Sequence, residues 1–339
     1  MPIDTNFSFA HRLSGGPAGA ALEAAADAGE DFLGLLRGFV GTAPKGKDAQ
    51  RKWKGPGFNM IWRPNVPSAT IPARHFLQLN FTDETLAFTD ITGSGIANRG
   101  LLQPDILLGG AAYLQTINDS FDNTGQHFEP GVWANVPATT NPEEKATVVR
   151  MGSIPHGTTV NMQGIAFEVP TPQFAKSSIV PFRIGSPDDG QTDLVQFPEQ
   201  NLAVAAPART DLARVAALDQ AHLDNPNLFL SDAIAGQTIT NTVVLIVSSD
   251  VNFPKPPPPN VPDVGGGTRD IAFLVGKGAP PTGGPNAAAV RASSTFWIET
   301  VKPAYGKEFL QLQYTQRVLL DFGGLSWPHV TVATLRLVE

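Results

Sequence analysis

Short runs that alternate apolar and polar residues, each closed by turn-forming residues, recur about every ten positions along most of this chain. Neighbouring side chains in a strand point to opposite faces, so such a run offers one face to a core and the other away from it. Residues 57–62, 75–81, 86–91, 110–118, 128–136, 147–154 and 160–169 read as strands on this pattern. The series resumes at 242–247, 270–275, 294–301, 309–322 and 329–338. In the second run Phe76, Gln78 and Asn80 share one face, and His75, Leu77, Leu79 and Phe81 share the other. In the run 309–322, Leu310, Leu312, Tyr314, Val318 and Leu320 oppose Gln311, Gln313, Thr315, Arg317 and Asp321. The run 242–247 is continuously apolar, which predicts burial on both faces. The 33 glycines and 30 prolines are dispersed among the runs and supply their turns.

Helical patterns interrupt the series twice. Leu22, Phe32, Leu33, Leu35, Leu36 and Phe39 predict a helix within 18–40, ended by Gly41. Leu212, Val215, Ala216 and Leu218 form a stripe that predicts a helix over 211–222, capped by Thr210 or Asp211, and 227–235 offers a second short one. Residues 45–54 read as a basic solvated loop, and 251–267, with Pro256 to Pro259, as a stiff surface connection. Strand runs at both ends with one helical segment between them favour an antiparallel barrel over βαβ units. A closed barrel has no free edge, so the first and last strands are expected to pair. The expected organisation is mainly β: an N-terminal helical segment, 1–50, then one calycin-like antiparallel β-barrel domain, 51–339, with a helical insertion at about 170–240.

Composition removes several classes of function. An apolar fraction of 42 % and a net charge of −7 argue against a disordered chain. No apolar run reaches the length of a transmembrane helix, and no secretory signal pattern is visible; the absence of Cys fits a cytoplasmic chain. A pI near 5.4 without a basic block speaks against nucleic acid and anionic membranes as partners. The absence of Cys excludes disulfides, thiolate metal sites and cysteine nucleophiles together. Gly265-Gly266-Gly267 lacks the Lys-Ser/Thr of a phosphate loop, no His-x-x-x-His pair exists, and no Gly-x-Ser-x-Gly elbow is present. Asp188 and Asp189 read as a turn.

Two motifs stand near the two ends of the expected barrel. Trp53-Lys54-Gly55-Pro56-Gly57 enters the first strand, where a Trp can plug the barrel floor and glycines let the strand bend. The last strand begins Trp327-Pro328-His329. Its residues His329, Thr331, Ala333, Leu335 and Leu337 share one face, opposite Val330, Val332, Thr334, Arg336 and Val338. Arg336 belongs outside, so His329 is expected to face the interior. This pair of motifs resembles the nitrobindins, small β-barrel haem proteins of the fatty-acid-binding-protein-like group. The resemblance implies haem b, with His329 as the iron ligand and Trp53, Gly55 and Gly57 as the floor of the cofactor site. It further implies chemistry on peroxide, peroxynitrite or nitric oxide.

The chain is much longer than a nitrobindin. The N-terminal helix and the region from about residue 170 to 236 are additions, expected to cover the open side of the porphyrin and enclose an apolar organic substrate, as in a peroxidase or oxygenase. A calycin-type carrier of an apolar small molecule, with His329 as a polar anchor, is the alternative, and a haem carrier or sensor is a third reading. His156, in Ile154-Pro155-His156-Gly157, is the candidate distal acid/base and catalytic residue. Arg63 is a candidate for a propionate or an acidic substrate, with Arg99 weaker. Asn59 and Gln103 are candidate pocket residues. His75 reads as a core histidine, His222 as a cap on its helix's last carbonyls, and His127 and His11 carry no assigned role.

Overall fold

The computed structural model describes residues 32–39, 50–91, 96–98, 102–141, 143–144, 146–154, 158–186, 192–249 and 288–338. Ten long antiparallel strands form the barrel, each paired with its neighbours in sequence. They are β1 (Gln50–Pro64), β2 (His75–Asp90), β3 (Ile106–Asp119), β4 (Gly125–Val136) and β5 (Thr147–Ile154), then β6 (Thr158–Val169), β7 (Ile239–Ser248), β8 (Ala288–Val301), β9 (Phe309–Phe322) and β10 (Leu325–Val338). The ring closes where β1 meets β10, in a register that sets Lys52 opposite Val338 and Ile61 opposite His329. The expected pairing of first and last strands is therefore present. No helix among the described residues is long and apolar enough to cross a membrane.

One end of the interior is an apolar plug. A short helix α1 (Leu33–Leu36) and the turn Arg37–Phe39 bring Phe32, Leu36 and Phe39 against Phe88, Trp133 and Phe296. Phe39 stacks on Phe88 at 4.5 Å, and the fully buried Trp53 indole donates to the Phe39 carbonyl at 2.9 Å. The expected helix thus appears as α1 and one 3-10 turn, and the rest of 18–40 lies outside the described residues. So do the expected strand 270–275 and the connection 251–267.

The outer wall carries a second apolar cluster. Phe58, Met60, Trp62, Leu77, Leu79, Val330 and Val332 point outward and are covered by the insertion between β6 and β7 through Ile179, Val215, Leu223 and Leu230. The apolar face of 75–81 is therefore the outer face, and its polar face lines the interior. The insertion also seals an edge. β2 pairs with β3 only over Thr82–Asp90, so its first half lacks that neighbour. Leu77 exchanges backbone hydrogen bonds with Ala208 and Thr210, and the Thr210 hydroxyl accepts from Leu79 N–H at 2.9 Å.

Two expectations change here. The helix predicted over 211–222 is a 3-10 turn, Leu212–Val215, followed by α2 (Gln220–Asp224), because Asp219 caps a new start by accepting from His222 N–H. The second short helix appears as α3 (Leu228–Ala233). The insertion lies mainly along the outer wall rather than across the barrel mouth. Its apolar residues find their partners on the outward faces of β1, β2 and β10.

Candidate functional site

Three layers follow one another inside the barrel. Above the plug lies a buried polar waist. Gly57 makes room for it, since a Cβ there would stand 2.5 Å from Glu84 Oε1 and 2.7 Å from Thr82 Oγ1. Gly55 instead allows close strand approach: its Cβ would stand 2.1 Å from the Thr334 carbonyl oxygen. Thr82 donates to Glu84 at 2.9 Å, Tyr314 donates to Glu84, and Gln115 donates to the Tyr314 hydroxyl at 2.8 Å. Arg150 crosses the barrel from the other side. It donates to Glu129 at 2.8 Å, to Tyr113 at 3.1 Å and to Ser294 at 2.9 Å, and also to Gln316. Tyr113 and His127 both meet Glu129, the latter at 3.1 Å.

Burial acts on these groups in opposite ways according to their partners. It pushes the Glu84 carboxyl up to about 7, against the lowering effect of bonds from Tyr314, Thr82 and Gln115. Burial also opposes ionisation of Glu129, but the Arg150 guanidinium and the His127 contact outweigh it and hold Glu129 down at about 2. Burial lifts both tyrosines well above the ordinary phenol range.

The seam between β1 and β10 lies beyond the waist. His329 Nε2 stands 2.8 Å from Asn59 Oδ1, and the Thr331 hydroxyl donates to the same oxygen at 2.8 Å. An amide oxygen only accepts, so Nε2 carries a proton in this arrangement. His329 is half-buried, on the same face as Thr331 and the plug residues Ala333 and Leu335. Asn59 faces Asn80 across β1 and β2.

Asn80 belongs to a polar cavity of about 290 Å³ at the mouth, with Arg63, Gln78, Asp119, Thr210 and Arg214. Arg214, brought by the insertion, pairs with Asp119 at 3.1 Å and Asp122 at 2.7 Å. Arg63 lies 4.7 Å over the Phe76 ring. Among the described residues of the insertion, this limb, from Ala208 to Arg214, reaches the mouth.

The structure thus brings Asn59, His329 and Arg63 to one end of the barrel, and Trp53, Gly55 and Gly57 to the plug and waist. Gln103 is elsewhere: it is tied to the exposed turn at Thr140, accepting from its N–H at 3.0 Å. His75 sits on the outer wall among Trp62, Phe197 and Trp327, 3.4 Å from Glu199. His222 does not cap carbonyls; its ring bridges Asp219 at 2.8 Å and Asp232 at 2.9 Å, which holds its protonated form up despite burial. His156, Arg99 and His11 lie outside the described residues. Among the described residues no cluster of three or more His, Asp or Glu is disposed to hold a metal ion. The waist residues Glu84, Tyr113, Glu129 and Arg150 escaped sequence reasoning. Their one signal is an ionisable or phenolic side chain at an inward position of a strand.

No family model matches the chain, and no curated protein matches it. Among solved structures, a crystal structure of Rv2717c from M. tuberculosis aligns with 85 % of this chain and 91 % of its own, at 11 % identity and a TM-score of 0.32.

Proposed function

We propose that the barrel mouth at the β1–β10 seam binds a small molecule, and that this molecule is haem b held through His329. The observation that carries the reading is the inward, half-buried imidazole on the closing strand, beside a mouth cavity bearing two guanidiniums. The donor types fit. An imidazole suits iron, and Arg63 suits a carboxylate such as a propionate, whereas Arg214 is already paired with Asp119 and Asp122. One contact must be given up: Asn59 occupies Nε2, so the Asn59 amide has to turn before that nitrogen can take a metal. Haem held by one histidine supplies an iron open to nitric oxide, peroxide or peroxynitrite. Around it, the charged waist would close the way inward, and the Arg214 limb would narrow the mouth. A peroxidase- or oxygenase-like activity on an apolar organic co-substrate, with His156 as the acid/base, is the enzymatic form of this reading. A haem carrier or sensor is its non-enzymatic form.

Hemin titration of wild type, His329→Ala and Asn59→Ala tests the proposal. The expected result is a Soret band in wild type, a lost or shifted band in His329→Ala, and equal or tighter binding in Asn59→Ala. No band, or the same band in wild type and His329→Ala, would overturn it.

A further inference from the structure

A cavity of about 600 Å³ lies on the outer wall, between the barrel and residues 170–177 of the insertion. Its floor is the outward face of β6, β7, β8 and β9, and the strand registers sort that floor into three levels. The first is apolar: Phe167 faces Val244, which faces Trp297, and Phe174 closes on Trp297 edge-on at 4.9 Å. The second is mixed: Ile246 faces Thr295, which faces Thr315. The third is polar: Ser293 faces Arg317. Four residues of strand separate Trp297 from Ser293, about 13 Å at the usual rise.

Charge follows the same axis. Arg317 is at the polar level, with its guanidinium 5.8 Å from the Phe182 ring centroid. The roof segment is pinned over the middle level, because Asn227 accepts from the Thr315 hydroxyl at 2.6 Å and donates to the Ala175 carbonyl at 2.6 Å. That brings Lys176 into the same lining. Glu168 stands beside the apolar level, where it accepts from Asn241 at 2.9 Å. An anionic head is therefore favoured at one end and repelled from the other.

We propose that this cavity is a binding site for an amphipathic organic anion, a medium-chain carboxylate. Its carboxylate meets Arg317 and Lys176 near the Ser293 and Thr315 hydroxyls. Its chain runs over Ile246 and Val244 to Trp297. The size suits a small ligand, and a carboxylate on a guanidinium makes the stronger, charge-assisted kind of hydrogen bond. The site is separate from the mouth and independent of the haem reading.

Isothermal titration of the full chain with decanoate, and with decanol as a neutral analogue, tests this. Wild type should bind decanoate saturably. Arg317→Gln should weaken decanoate by about tenfold or more, the worth of one charge-assisted bond, and leave decanol little changed. Thr295→Phe, which fills the middle level, should weaken both. His329→Ala should change neither. If Arg317→Gln does not fold, Lys176→Gln, on an exposed side chain, should still weaken decanoate selectively. Absence of saturable decanoate binding would overturn the proposal. So would binding indifferent to the Arg317, Lys176 and Thr295 substitutions, or binding lost in His329→Ala.

Discussion

Replacing Arg150 by Met should cost about 3–5 kcal/mol of folding stability at neutral pH, the usual penalty for stranding one partner of a buried ion pair. The geometry puts it in that range. Arg150 is 1 % exposed and Glu129 is fully buried at 0 %, so no water can replace the guanidinium. Arg150 also serves Tyr113, Ser294 and Gln316, which lose a donor together. In wild type Glu129, held at about 2, contributes stability that is present above the carboxylate's unfolded pKa and lost as pH falls through about 2. Without Arg150 burial dominates and the folded pKa rises, so the variant is penalised at neutral pH and relieved as the carboxyl protonates. The gap between wild type and variant should therefore narrow from pH 7 toward pH 4. Urea unfolding followed by tryptophan fluorescence across that range reads it. The double variant Arg150→Met/Glu129→Leu should recover most of the loss, because an apolar pair of similar volume leaves no charge stranded. A single variant costing under about 1 kcal/mol, or a double variant no more stable than the single, would refute the reasoning.

Glu84, pushed from 4.5 to about 7, binds its proton more tightly folded than unfolded. It should therefore lower stability as pH rises between those values, by about 3 kcal/mol in total. Glu84→Gln should flatten that slope in pH-dependent urea melts, leaving the part due to Glu299, which burial likewise raises to about 7. Gly55→Ala places a Cβ 2.1 Å from the Thr334 carbonyl oxygen, so the β1–β10 seam must part. A loss of about 1–3 kcal/mol is expected, and a thermal midpoint equal to wild type would contradict it. Arg209 braces the insertion by donating to the carbonyls of Glu199 at 3.0 Å, Asn201 at 2.8 Å and Val204 at 2.9 Å. Arg209→Ala should speed proteolytic cleavage within 195–210 while the far-ultraviolet circular dichroism of the barrel strands stays native; unchanged cleavage would count against that role.

The strand series was legible because period-two patterning survives in strands such as β2 and β9, and because β7 shows the unbroken apolar run of a strand covered on both faces. The bounds of β5 and β9 fall where the pattern puts them, and the runs 75–81 and 86–91 merge into one strand, β2. What alternation cannot tell is which face is inside. In 75–81 the usual rule inverts: Gln78 and Asn80 line the mouth, and Leu77 and Leu79 face out, because the insertion covers the outer wall. In β9 the rule holds, with Leu312 and Tyr314 inward, yet the outward Gln311 and Gln313 are buried as well. The inward direction of His329 was readable from the position of Arg336. Its partner Asn59 was named only by position, since a contact across 270 residues leaves no local trace. The waist was missed for the same reason. Arg150 between two valines and a methionine looks like an isolated polar residue until strand closure sets it against Glu129.

The closing seam also bears on the order of events in folding. Asn59 and His329 belong to the first and tenth strands of a ring built otherwise from sequence neighbours. Every other pairing in the ring can form before that one, and the seam must wait for the longest loop closure. The mouth site is therefore assembled by the last joint of the barrel, and no run of consecutive strands short of the full ring contains it. A ligand that needs both Arg63 on β1 and His329 on β10 would act as a clasp, binding only closed rings and holding them shut in proportion to its affinity.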